Sequence, residues 1–307
     1  MQTLNQRQHT ILEFITDAVS ASAERAGQSL GALNGSLSAV AGWFAVDNLV
    51  SEPEFRTFVQ QAFKDRDDVQ AVQYARLISA YQRAGLEQQL AADGHAGTIA
   101  EAGPQGLQAA GDREQYLPIL YTYPAAGNQN VYGLDALARP QTQPAILQSR
   151  DTGRTAVGPL IDIVQNATPS LLAFAPVYEP GARPSTLAQR QAAWSGMVVG
   201  VLRVQDWMAE STRDTEPGSM SLALIDRRQQ PAQVVWSNSD GLDVGAVSTW
   251  TAQANISLGD GQELQLVGEP TPALVAAQGS WRPWLALAAG LIATLLLCTA
   301  VWKWLDA

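Results

Sequence analysis

Apolar residues near the start of the chain recur at spacings that alternate between four and three. Val19, Ala23, Ala26, Leu30, Leu33, Leu37, Val40 and Phe44 follow one another at 4, 3, 4, 3, 4, 3 and 4, which is a heptad seam on one side of a helix. Leu12 extends the seam back by one heptad. The pattern predicts a helix from about residue 4 to 45, roughly 60 Å long at the α-helical rise. Such a rod is too long to lie on one small domain, so part of it should pair with a second copy or stand as a stalk. For its second half, a scaffold helix laid over its own domain accounts for the pattern equally well. Gly27, Gly31 and Gly35 weaken isolated helicity and allow close helix approach.

The period changes at "SEPEFRTFVQQAF". Ser51 stands at an N-cap with Glu54 at the capping-box offset, ahead of an apolar face of Phe55, Phe58, Val59 and Phe63. "VQAVQYARLIS" reads as a strand or short helix, and "AYQRAGLEQQLAADG" as a helix stopped by Gly94. Strand-like runs follow in "YLPILYTY", "TAVGPLIDIV", "LLAFAPVY" and "WSGMVVGVLRV", with a helix from about Thr142 to Thr152 closed by Gly153. Beyond Val204 the runs shorten to "SLALID", "AQVVWSN", "AQANISL" and "QELQLVG", which predicts a second, smaller sheet. The expected organisation is a stalk helix over 1–48, a larger sheet domain over 49–205 and a smaller one over 206–275.

From Pro283 to Trp302 no residue is charged, and Trp281, Trp284, Trp302 and Trp304 stand at the two ends. A run of that length crosses a hydrocarbon core of roughly 30 Å, and indoles favour its borders. A transmembrane helix over 281–304 is therefore expected. The only cysteine, Cys298, lies within this run, so neither disulfides nor a thiolate metal cage are available. The net charge of −10 over 307 residues argues against a nucleic-acid or anionic-lipid partner. The chain has two histidines, His9 and His95, and His9 is on the stalk. With no Walker-type loop and no His–carboxylate cluster at metal spacing, neither an enzyme nor a resident cofactor or metal is expected.

Seven strings in order, "EFRTFV", "VQAVQYARLI", "DREQYLPILYTYP", "GNQNVYGLD", "SRDTG", "FAPVY" and "GMVVGVLRV", run from about residue 50 to 205. Together they resemble the CHASE domain, the cyclase/histidine-kinase-associated sensory extracellular module. The resemblance implies an α+β fold: a long N-terminal stalk helix and two stacked PAS-like mixed α/β domains between transmembrane helices. It also implies an extracellular or periplasmic sensor, parallel homodimers through the stalk, and a signal passed to a cytoplasmic histidine kinase or cyclase.

The plant cytokinin receptors of this family hold an adenine-type ligand through an aspartate and backbone groups. Asp135 falls on that aspartate, 17 residues before Thr152. Val157 and Gly158 fall on the strand whose backbone meets the ligand. Ala175 stands where those receptors carry a bulky aromatic, and "AVGPL" is one residue shorter than its counterpart, so the pocket is expected to differ.

Asp135, between Leu134 and Leu137, can accept hydrogen bonds from a planar N–H-bearing guest, or it can satisfy the amides of its own loop. Both readings stay open at this point. Tyr121, Tyr123 and Phe174 would face a pocket if "LPILYTY" and "LLAFAPVY" were neighbouring strands, and otherwise are core. Met197 and Gly200 complete the expected lining from the last long strand, where Gly200 permits close approach or marks a bulge. A small-molecule receptor is the function these readings favour. The alternative is a membrane-anchored protein-interaction module without a small-molecule ligand.

Overall fold

The first helix carries two sheets on one side. The computed structural model describes residues 2–46, 50–103, 106–162, 169–216, 218–228, 231–239, 250–278, 291–292 and 294. Helix α1 spans Gln2–Phe44, about 65 Å at the helical rise. Every seam residue from Val19 to Phe44 is buried in the core of its own chain. The seam therefore serves the scaffold; it is not an exposed surface waiting for a second copy. Further back, Ile11 and Ile15 take the buried positions and Leu12 is only half-buried. A straight helix drifts from a strict heptad, so four-residue steps take over when no partner helix holds the supercoil.

Beyond α1 come α2 (Glu52–Ala62), β1 (Val69–Arg76), β2 (Ile78–Ser79), α3 (Ala80–Ala92), β3 (Ala100–Gly103), β4 (Gly106–Ala109), β5 (Gln115–Tyr116) and β6 (Ile119–Tyr123). Then follow α4 (Gln143–Thr152), β7 (Ala156–Asp162), β8 (Pro169–Tyr178), α5 (Leu187–Ala193), β9 (Trp194–Arg203) and α6 (Val204–Ser211). The remainder is β10 (Met220–Asp226), β11 (Gln233–Ser237), β12 (Ala252–Gly259), β13 (Gln262–Pro270) and α7 (Pro272–Gln278). The capping box forms as its residues predict, with the Ser51 amide donating to Glu54 at 2.9 Å. Gly153 takes the left-handed cap of α4 at φ 74°.

One antiparallel sheet runs β6-β1-β9-β8-β7 and the other β11-β10-β13-β12. Strands β6 and β8 are thus not neighbours; β1 and β9 lie between them. Both faces of the five-stranded sheet are apolar. Val72, Ala173, Ala175, Val198 and Leu202 pack with α1, while Ile119, Phe174, Met197 and Val199 pack on the opposite face with Ile146 of α4. The four-stranded sheet lays Leu222, Leu224, Ile256, Leu264 and Leu266 into the same core as α1. Trp207 of α6 is buried between, its indole N–H donating to the Ala26 carbonyl at 3.2 Å.

The expected membrane span over 281–304 lies outside the described residues except for Leu291, Ile292 and Thr294. Among the described residues no helix is long and apolar enough to cross a membrane.

Candidate functional site

The face of the five-stranded sheet turned away from α1 carries a cavity of about 70 Å³. Its floor is made by Leu172 and Phe174 of β8, two residues apart as the pleat requires, with Gln73, Ile119, Ile161 and Val199 from the other four strands. The loop from Asn130 to Thr142 forms one wall, and Ala102 and Leu107 of the β3–β4 hairpin reach the mouth. A cavity of this size takes on the order of five water-sized groups.

Asp135 sits in the wall, 2% exposed. Its carboxylate caps the short 3-10 turn Ala136–Ala138, accepting from the Leu137 amide at 3.1 Å and from the Leu117 amide at 2.8 Å. The other oxygen accepts from Arg113 at 3.0 Å. Both readings of this residue therefore have material here: it holds its own main chain and also borders the cavity, with one acceptor position left on Oδ2. Burial pushes the Asp135 carboxyl above the usual range, against the two amides and Arg113, which pull it down. Arg113 also donates to Glu101 of the hairpin, linking the mouth of the cavity to its wall. For Glu101, burial acts upward, but the hydrogen bonds from Gln108 and Arg113 outweigh it and hold the carboxyl below its usual value.

Of the expected lining residues, Asp135 and Phe174 border the cavity. Gly158 backs it: a Cβ there would lie 3.2 Å from the Phe174 ring. Met197 is buried on the same face but takes a hydrogen bond from Ser149 and is core. Tyr121, Val157, Ala175 and Gly200 lie on the other face, toward α1. Tyr121 joins Phe55 and Tyr74 and donates to the Val50 carbonyl at 3.1 Å, and Gly200 meets Leu37. Tyr123 borders a separate open groove with Lys64 and Asn128. The expectations for Tyr121, Ala175 and Gly200 failed on facing, because both faces of the sheet are apolar and alternation alone does not tell which one looks at the helix, whereas Val157 was expected to act through its backbone.

Two polar residues of the cavity carry no expectation from the sequence. Gln73 is 5% exposed, and its amide has no partner among the described residues. Arg139 is half-buried and likewise has none; burial alone lowers its guanidinium below the usual range, with no carboxylate opposing it. The available signals were the amides of Gln70 and Gln73 in the otherwise apolar run "VQAVQYA" and a lone cation closing "LDALARP".

A family model for the CHASE domain matches residues 48–236. Among solved structures, an extracellular ligand binding receptor from Desulfohalobium retbaense DSM5692 is similar at a TM-score of 0.52 and 11% identity. That match covers 82% of this chain, which spans only 39% of the receptor's own length. The ligand binding domain of the Pseudomonas aeruginosa PAO1 amino acid chemoreceptor PctB in complex with L-Gln is similar at 0.49 and 12% identity, over 91% of this chain and 98% of that one. The ligand-binding domain of the Pseudomonas fluorescens chemoreceptor CtaA in complex with L-valine is similar at 0.48 and 8%, over 86% and 98%. At such identities the likeness is one of fold. No curated protein matches the sequence.

Proposed function

The chain belongs to the CHASE-domain family, and we propose that it is the extracytoplasmic sensing part of a membrane receptor, with its small-molecule site in the cavity beside Asp135. The observation that carries this reading is a hollow with a mostly apolar floor, bordered by the side chains of Gln73 and Arg139, which have no partner among the described residues. The adenine-type guest that the resemblance implies would rely on the single acceptor position left on Asp135.

A bound guest presses on Phe174, and Phe174 lies against Gly158 of β7. The Gly158 carbonyl accepts from Arg228 at 3.3 Å, and Arg228 grips Asp226 at the end of β10. Occupancy in one PAS-like sheet is thereby felt in the other, and both bear on α1. The signal leaves along α1 and a C-terminal span to a histidine kinase or cyclase output. Two copies pair in parallel along the outer side of α1, where Phe14, Gly31 and Gly35 are exposed. A ligand that favours one of two packings by 1 to 3 kcal/mol shifts the output roughly 5- to 150-fold.

Thermal-shift screening of the full chain against adenine derivatives and small metabolites tests the reading. A stabiliser whose effect disappears when the cavity is filled by Ala102→Phe is the expected result. A chain that no small molecule stabilises, but that pulls down a protein through its sheet edges, would be the interaction module instead.

A further inference from the structure

Among the half-buried arginines of the described residues, Arg139 stands apart. Arg25, Arg66, Arg83, Arg113, Arg150, Arg203 and Arg228 each face a carboxylate, and Arg190 donates to two carbonyls. Among the described residues the Arg139 guanidinium has no hydrogen bond and no ion pair, and Arg139 borders the cavity. A guanidinium withdrawn from water without a counter-charge costs free energy, so an anion that completes it binds with a gain that a neutral guest lacks. Thr142, buried at the start of α4, lines the same wall, and the positive end of that helix's dipole adds to the charge. Across the floor, the Gln73 side-chain amide offers two donors and an acceptor and has no partner among the described residues. The rest of the floor is Ile119, Leu172, Phe174 and Val199, which suits a short apolar body.

Resting on the small-molecule reading of this cavity, we propose that its ligand is a small carboxylate, held by Arg139 through its two oxygens and by the Gln73 amide, with a short aliphatic tail on Phe174 and Val199. The magnitudes agree with this class. The cavity, at about 70 Å³, takes on the order of five water-sized groups. Butyrate or 2-aminobutyrate is near that size, whereas adenine is larger by roughly half and exceeds it. The oxygens of Asp135 are largely taken up by Arg113 and by the Leu117 and Leu137 amides, and Arg113 is shared with Glu101, so the anion-binding charge at the cavity comes from Arg139.

The test compares acid and amide on the unmodified full chain. Butyrate and butyramide differ in charge and little in shape, so at constant ionic strength butyrate should raise the melting temperature and butyramide should not. Including 2-aminobutyrate separates a plain acid from an amino acid: either one stabilising supports the carboxylate, and the better of the two identifies the source. Arg139→Gln should weaken the response roughly 10- to 100-fold while the unliganded protein melts no lower than the parent, because an unpaired half-buried charge has been removed. Gln73→Leu should weaken it less. Equal responses to acid and amide, or an Arg139→Gln chain that binds butyrate as the parent does, would overturn the proposal. If adenine stabilises and no carboxylate does, the carboxylate proposal fails and the sensor reading stands. If no small molecule acts, both fail.

Discussion

Gly268 of β13 lies directly beneath Val19 of α1: a Cβ placed on the glycine would stand 2.5 Å from Val19 Cγ2 and 2.9 Å from Leu222 Cδ2. Gly200 of β9 repeats the arrangement in the other sheet, where the same atom would stand 2.8 Å from Leu37 Cδ1. Each sheet thus lets the helix approach over a glycine that no larger residue can replace without displacing the seam.

Gly268→Ala should therefore destabilise the chain by about 1 to 3 kcal/mol, the usual cost of overpacking a filled core. Val19 is β-branched and fully buried, so it has no easy rotamer to retreat to. Urea unfolding gives the value directly. A variant as stable as the parent would mean that the helix lifts off the smaller sheet freely.

Asp135→Ala leaves the Leu117 and Leu137 amides without an acceptor and Arg113 with Glu101 as its one carboxylate. The expected loss is about 2 to 4 kcal/mol in the absence of any ligand. Asp135→Asn keeps one oxygen for the amides and should lose less. The two amide bonds are the reason the unliganded melting temperature should fall. Unchanged melting of Asp135→Ala would show that these bonds contribute nothing net.

The acid side of the stability curve should depend on Glu101. Its folded carboxyl is held below the unfolded value of 4.5, so its contribution is present above that pH and is lost as the pH falls through the depressed value. Asp135 acts with the opposite sign: its folded carboxyl is raised above 3.8, so lowering the pH through that raised value relieves the cost of burying its charge. The stability gap between the parent and Glu101→Gln, measured by denaturant near neutral pH and again below pH 4, should close in acid. A gap that is independent of pH would remove the Glu101–Arg113 pair from the explanation.

Arg228→Gln strands the wholly buried Asp226 carboxylate, which now receives two bonds of 2.9 Å from the guanidinium. Unfolding should become easier by about 2 to 4 kcal/mol, and Asp226→Asn in the same chain should recover part of that loss. The double-mutant cycle measures the coupling of the pair. Additive effects would show that the pair does not act as a unit.

The layout was largely legible in the residues. The heptad spacing located α1, the Ser51–Glu54 box located α2, Gly153 ended α4, and the β-branched runs became strands of two sheets. What the pattern did not contain was side. Tyr121 and Ala175 were expected around a guest and instead pack toward the helix, since a sheet apolar on both faces looks the same from either. Arg139 and Gln73 were missed because a polar residue in an apolar run does not say whether a partner will meet it, and among the described residues none does. The β3–β4 hairpin was missed as well: "AEAG" and "GLQA" carry none of the β-branched or aromatic residues that mark strands.

Helix α1 has no joint between the two glycines it passes over. Val19 and Leu37 are separated by about 27 Å of unbroken helix, an axle seated in two bearings. Such an axle conveys torque faithfully and bending poorly, so a disturbance under Leu37 arrives under Val19 as a turn about the long axis.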